Sequence, residues 1–253
     1  MNFLKVLKKY VIDTQLYVSL IGTLFAVFFM SEQNTFRFPS VLLIFITYFS
    51  GYLYTKYQNT RHFYKILVLN IIAGIISAVL IILNHNEIRL VKWFIIVVLG
   101  LLYNSIFLET YIRKIPLLKV FYVGLVWALV NCWLTLPDFN FPVFLISFFF
   151  ITALVLPFDI RDMNSDTVKT FPKLVGVQNT KYIAYLLIFL STVLSAFYLN
   201  INYSSAFFIS AFISYIFIYF SENNRDDAYF SFGVETCAAL PFLFLLILSI
   251  FEQ

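Results

Sequence analysis

FPVFLISFFFITALVLPFDIRDMNSD, residues 141–166, runs apolar from Phe141 to Phe158 and then turns charged, with Asp159, Arg161, Asp162 and Asp166 following. The apolar part does not alternate polar with apolar residues, as a strand of a membrane barrel would. It is long enough to cross the hydrocarbon core as a helix, which takes roughly 20 residues, with roughly 17 as the lower limit. Outward from it, the same texture recurs on both sides. Upstream lie Gln15 to Met30, Pro39 to Tyr57, Ile66 to Leu83, Leu90 to Phe107 and Ile115 to Leu136. Downstream lie Tyr182 to Leu199, Ser205 to Phe220 and Phe232 to Phe251. Lys, Arg, Asn, Pro or Asp punctuate every gap. The pattern predicts an all-α membrane protein, a bundle of nine transmembrane helices forming one domain over residues 1–253.

Composition agrees. Hydrophobic residues make up 62% of the chain and charged residues 12%, about half the charged share of a soluble domain. So few charges cannot tile a surface facing water, so lipid must cover much of it. The net charge of +4 carries no signal for nucleic acid, and none is expected as a partner. Cys132 and Cys237 fall inside apolar runs and read as small hydrophobic residues, with no second ligand at a useful spacing for a metal or a disulfide framework. The first apolar run has no small-residue cleavage site after it, so it reads as a retained helix and not a signal peptide.

The basic residues test the helix count independently. With the N-terminus in the cytoplasm, the inside segments hold Lys5, Lys8, Lys9, Lys56, Arg61, Lys65, Arg113, Lys114, Lys119, Arg161, Lys169, Lys173, Lys181 and Arg225. That is fourteen of the 17, leaving Arg37, Arg89 and Lys92 outside. One missed span would flip every later loop, so the asymmetry favours nine spans, N-terminus in and C-terminus out, in a bacterial cytoplasmic membrane.

Acidic residues gather at the same side: Glu109, Asp159, Asp162, Asp166, Glu222, Asp226 and Asp227, with Glu235 just inside the last span. Pro157 permits a kink near the end of the sixth span. Beyond it, Asp159, Asp162 and Asp166 would project from one face of a helical extension. Three like charges there repel unless a cation sits among them. Mg²⁺, bound through one or two carboxylates and shared with phosphate oxygens, is one answer; solvation, with Arg161, Lys169 and Lys173 as counter-charges, is the other.

The segment Arg161-Asp162-Met163-Asn164-Ser165-Asp166, followed by Lys169-Thr170-Phe171-Pro172 and then Gly176, resembles the second aspartate-rich motif of the UbiA superfamily of intramembrane prenyltransferases. Leu102-Tyr103-Asn104-Ser105 and Ile115-Pro116-Leu117-Leu118-Lys119-Val120 are similar to that family's LYS…LK region. The resemblance implies a UbiA-like fold and transfer of a prenyl group from a prenyl diphosphate to a hydrophobic acceptor, aromatic or lipid, with Mg²⁺ as cofactor. It implies Asp162 and Asp166 as the catalytic Mg²⁺-binding pair, with Asp159 at a third metal-binding position. Arg161 and Lys169 would contact the diphosphate, and Tyr103 would lie close to the reacting centre. Such chemistry needs a metal clamp, a dry chamber and an opening toward membrane lipid, and 32 Phe and 17 Tyr supply rings that can stabilise an allylic cation or simply fill the bundle.

The chain departs from the family's first motif. Residues 51–65, GYLYTKYQNTRHFYK, contain no carboxylate, and the R-P-L-x-x-G stretch that normally follows is missing. The second motif is also shortened between Asp166 and Thr170. Two readings follow: Lys56 and Arg61, with His62 and Lys65, replace the missing metal as diphosphate ligands, or the fold has become a catalytically silent binder of an isoprenoid lipid or partner enzyme. A small-solute transporter fits less well, since no internal repeat is visible. Asn70, Asn104 and Asn131 read as interhelical hydrogen-bond partners, and Pro241 as a kink in the last span. Glu235, an acid one turn inside that span, is a functional candidate or a partner of Arg225.

Overall fold

The computed structural model describes residues 15–58, 60–104, 117–165 and 169–251. Each of the nine predicted stretches contains helix. In chain order these are α1 (Leu16–Glu32), α2 (Phe38–Tyr57), α3 (Phe63–Leu83), α4 (Glu87–Asn104) and α5 (Leu118–Leu129). There follow α6 (Phe141–Arg161), the short α7 (Phe171–Val175), α8 (Val177–Tyr198), α9 (Ile201–Tyr219) and α10 (Leu240–Phe251). Five of them, α2, α3, α6, α8 and α9, are long and apolar enough to cross a membrane by length and composition. Helices α1, α5 and α10 are shorter apolar helices.

Local chemistry sets several ends. Asn140 caps α6 by accepting a hydrogen bond from the Val143 amide at 3.0 Å, satisfying one of the orphan donors of the first turn. Pro39 and Pro142 sit in first turns, where a missing N–H costs nothing. Gly176, at φ +85°, adopts a backbone that favours glycine and joins α7 to α8.

The long helices pack in chain order around a ring, α1 to α2, α3, α4, α5, α6, α8, α9 and α10, and α10 closes on α1. Contacts at the ends fall into two sets. Glu32 with Asn200, Arg89 with Ser40, and Lys92 with the Pro137 carbonyl join one end. Lys119 with Asp159, Lys181 with the Tyr219 carbonyl, and Tyr17 with Thr236 join the other. Successive helices therefore run up and down, as the charge pattern predicts.

Buried and exposed faces are both apolar, which is the signature of a bundle in lipid. Phe25, Phe28, Phe29, Phe150 and Phe207 are fully buried between α1, α6 and α9, with the Phe150 and Phe207 rings 4.9 Å apart. On α3, by contrast, Val68, Ile71, Ile72, Ile75, Val79 and Ile82 are exposed. No aqueous surface would tolerate that stripe; the chain is an integral membrane protein. Some polar groups pair between helices: Ser191 donates to the Ile146 carbonyl at 2.7 Å, and Trp93 donates to Thr47 Oγ1 at 3.1 Å. Cys132 and Cys237 are buried free thiols.

The last predicted span departs from a continuous helix. A wide π turn covers Tyr229–Val234, Glu235 and Thr236 form a brief helical link, and a turn at 237–239 precedes α10. Pro241 does not kink a helix there. It occupies the first turn of α10, where its lost N–H has no intrahelical partner. A second π turn, Val130–Leu134, extends α5.

The closest seam is α5 against α6. A Cβ built on Gly124 would collide with Thr152 Oγ1 and lie 3.1 Å from the Phe148 carbonyl. Gly124→Val should therefore cost about 1–3 kcal/mol, read as a lowered Tm of the detergent-solubilised protein. An unchanged Tm would show that the seam can open without cost.

Candidate active site

Near the C-terminal end of α6, Asp159 points inward with 1% of its surface exposed and meets Lys119 Nζ of α5 at 3.3 Å. Two residues later Arg161 holds both carboxylate oxygens of its neighbour Asp162, at 2.7 and 2.9 Å. The guanidinium also lies over Phe158 of α6 and Phe230 of the π turn, 5.2 and 5.7 Å from the ring centroids, a cation–π arrangement that fixes its plane. Helix α6 ends at Arg161, and Asp162–Asn164 tighten into a 3₁₀ turn.

This corrects the expected single acidic face. Asp159 turns to α5 and Asp162 to Arg161, each carboxylate matched by its own cation. Asp166 lies outside the described residues. Among the described residues, no three His, Cys, Asp or Glu side chains gather in a way that could hold a metal ion.

The electrostatic surroundings extend the cluster across the bundle. Asp227 and Glu235 both act on Arg161, and Arg161 and Lys56 both act on Glu235. Lys56 belongs to the last turn of α2 and is exposed. Arg225, the expected partner of Glu235, instead donates to the Phe220 carbonyl at 3.2 Å and lies over Tyr229. Arg61 and Lys169 are exposed on connecting segments, and neither contacts a described site residue.

An aromatic layer lies next to these charges. Tyr52 of α2 accepts a hydrogen bond from Trp127 Nε1 at 2.9 Å, and the Trp127 ring is 4.9 Å from Tyr48. Tyr52 interacts electrostatically with both Glu235 and Tyr103. Tyr103 stacks on Tyr122 at 5.7 Å with 18° between the planes, and Tyr122 donates to the Leu99 carbonyl at 2.6 Å. Tyr52 and Glu235 are both half-buried.

The structure thus brings Lys56, Arg161, Asp162 and Tyr103 toward one end of the ring and adds Lys119, Tyr52 and Trp127. Tyr48, Tyr52 and Lys56 recur every four residues, so one face of α2 leads from rings to charge. That spacing is the signal by which Tyr52 could have been found in the sequence. Nothing local announces Trp127.

No family model matches the chain, and no curated protein sequence matches it. Solved structures do. A UbiA homolog from Archaeoglobus fulgidus bound to GPP and Mg²⁺ is similar at a TM-score of 0.63 and 13% identity, over 91% of this chain and 95% of that one. The same homolog bound to DMAPP and Mg²⁺ is similar at 0.63 and 13%, over 91% and 94%. A digeranylgeranylglyceryl phosphate synthase structure is similar at 0.60 and 16% identity, over 98% of each chain. The chain has the fold of the UbiA superfamily.

The buried ion pair can be tested on its own. Lys119→Met takes the Lys119 ammonium away from the buried Asp159 carboxylate, and breaking a buried pair from one side typically costs about 3–5 kcal/mol. The double variant Lys119→Met/Asp159→Leu should recover most of the lost Tm. A double variant less stable than Lys119→Met would show that Asp159 is held by something other than this pair.

Proposed function

We propose that this chain is a UbiA-type prenyltransferase that moves a prenyl group from a prenyl diphosphate to a hydrophobic acceptor within the membrane. The single observation that carries the reading is a cluster of cations and carboxylates set against an aromatic layer, in a fold shared with solved structures that bind GPP or DMAPP with Mg²⁺. On this reading the chain crosses the membrane nine times with its charged end toward the cytoplasm, a count that the ring of helices and the positive-inside asymmetry support.

A Mg²⁺ site of the kind that uses one or two carboxylates and shares phosphate oxygens fits Asp162, half-buried on the turn that ends α6, together with Asp166 four residues on. Asp159 fits it less well, because its carboxylate is buried and taken by Lys119. Its role is to hold Lys119 and to lock α5 against α6. When bound, Mg²⁺ neutralises charge on the departing diphosphate.

The chain's own side chains do the rest. The Arg161 fork, which here holds both Asp162 oxygens, would turn to phosphate oxygens once Asp162 is engaged elsewhere, by charge-assisted bonds. Lys56 stands where the family's first motif would end, supplying positive charge from a segment that has no carboxylate. Tyr52, Tyr103 and Trp127 line the adjoining space, where ring faces stabilise an allylic cation and exclude water. Arg61 and Lys169, exposed on their loops, would meet the diphosphate at the mouth as it enters.

In proteoliposomes supplied with geranyl diphosphate and Mg²⁺, the wild-type protein should release diphosphate. Asp162→Asn and Lys56→Ala should each lower that rate by about 10²-fold, the scale of losing one fixed electrostatic contact, and chelation of Mg²⁺ should abolish it. Normal turnover in Asp162→Asn would contradict the reading. Tight binding without release in the wild-type protein would favour an isoprenoid-binding protein that has lost catalysis.

A further inference from the structure

Glu235 is a half-buried acid of the charged end that the proposed diphosphate site does not use. It lies between two interruptions of the last membrane segment, the π turn at Tyr229–Val234 and the turn at 237–239. Such interruptions widen the backbone and often accompany function. The other buried or half-buried acids among the described residues are engaged. Asp159 pairs with Lys119, Asp162 with Arg161, and Glu32 accepts from Asn200 at 3.0 Å. The Glu235 carboxylate makes no hydrogen bond and no ion pair with a described residue, while its backbone carbonyl accepts from the Ala238 amide at 3.1 Å.

A carboxylate inside a membrane bundle costs free energy unless it is paired or used. Its surroundings say what use is open to it. Arg161 of α6 lies over Phe230 of the π turn that leads into Glu235, 5.7 Å from the ring centroid. Lys56 and Tyr52 of α2 lie within electrostatic range of Glu235, and Asp227 within range of Arg161. From α1, Tyr17 hydrogen-bonds Thr236, the next residue, and its ring lies 5.2 Å from Phe232. The two cations near Glu235 are those assigned above to the diphosphate, and the ring near it belongs to the aromatic layer. On the reading proposed above, Glu235 thus borders both the position of the leaving group and that of the prenyl carbon.

We propose that Glu235 is the general base of the transfer, receiving the proton that the acceptor loses. The inference rests on the prenyltransferase reading. The C1–O bond of the prenyl diphosphate breaks and its electron pair leaves with the diphosphate. The acceptor's nucleophilic oxygen or nitrogen bonds to C1, and its proton passes to a Glu235 carboxylate oxygen. The acceptor class follows from the charge. A reacting group placed beside a carboxylate is a neutral protic one, an alcohol, phenol or amine, while an acceptor reacting through its own carboxylate or phosphate would be repelled.

The test uses full-length protein in vesicles with Mg²⁺, geranyl diphosphate labelled with ¹⁸O at the bridging position, and dodecanol or 4-nonylphenol as acceptor. Glu235→Gln should still bind geranyl diphosphate and scramble its bridging label, which reports C1–O cleavage. Transfer to the acceptor should fall by about 10²-fold, the usual range for losing a general base. Glu235→Asp should recover part of the rate, and the acid limb of the wild-type pH profile should vanish in Glu235→Gln. Transfer by Glu235→Gln at the wild-type rate overturns the inference, as does loss of transfer with the acid limb unchanged, or wild-type transfer to neither acceptor despite label scrambling. Absence of both binding and scrambling in the wild-type protein would instead overturn the prenyltransferase reading beneath it.

Discussion

The contact between Asp159 and Lys119 is the constraint from which the charged end takes its shape. A carboxylate with 1% of its surface exposed cannot stay ionised in an apolar bundle without a close cation, and α5 provides it at 3.3 Å. The pair fixes α6 against α5, where Gly124 already permits a close approach. With Asp159 committed to that seam, Arg161 two residues on points elsewhere, over Phe158 and toward Phe230 of the last segment. One buried ion pair thus aims a guanidinium, and the guanidinium gathers Asp162, Asp227 and Glu235 around it.

The outside of the bundle needs no such care. Helix α3 spreads exposed Ile and Val on several sides, because lipid accepts them without specificity. Several charges away from the site, in contrast, are received by a backbone carbonyl. Lys92 at the opposite end donates to the Pro137 carbonyl at 2.8 Å, and Lys181 to the Tyr219 carbonyl at 2.6 Å. Against that economy of charge, the cations and acids around Arg161 stand out as a site, and the Tyr52–Trp127 and Tyr103–Tyr122 pairs give it an aromatic wall.

Much of this was legible in the residues, and the failures have physical causes. Long apolar runs without strand-like alternation leave little choice but helix, so all nine stretches contain helix, with ends set by caps such as Asn140 and prolines such as Pro142. The interruption of the last span was not legible, because Tyr229–Val234 is as apolar as its neighbours and its π turn depends on packing against α9 and α6. The expected acidic face failed at Asp159 because helical spacing says which residues share a side, not which partner waits there. Lys119, 40 positions earlier, was that partner. Arg225 was a poor guess for Glu235 for the same reason: its neighbours in space come from α2 and α6, and its neighbours in sequence do not predict them.

The most direct measurement is an experimental structure of the protein with Mg²⁺ and the non-hydrolysable analogue geranyl thiodiphosphate. The diphosphate should lie against Arg161 and Lys56, with metal density at Asp162 and the hydrocarbon chain running along Tyr52 and Tyr103. Density for the analogue only in the lipid-facing groove between α8 and α9, lined by Tyr185, Tyr215 and Tyr219, would contradict the assignment of the charged end as the active site.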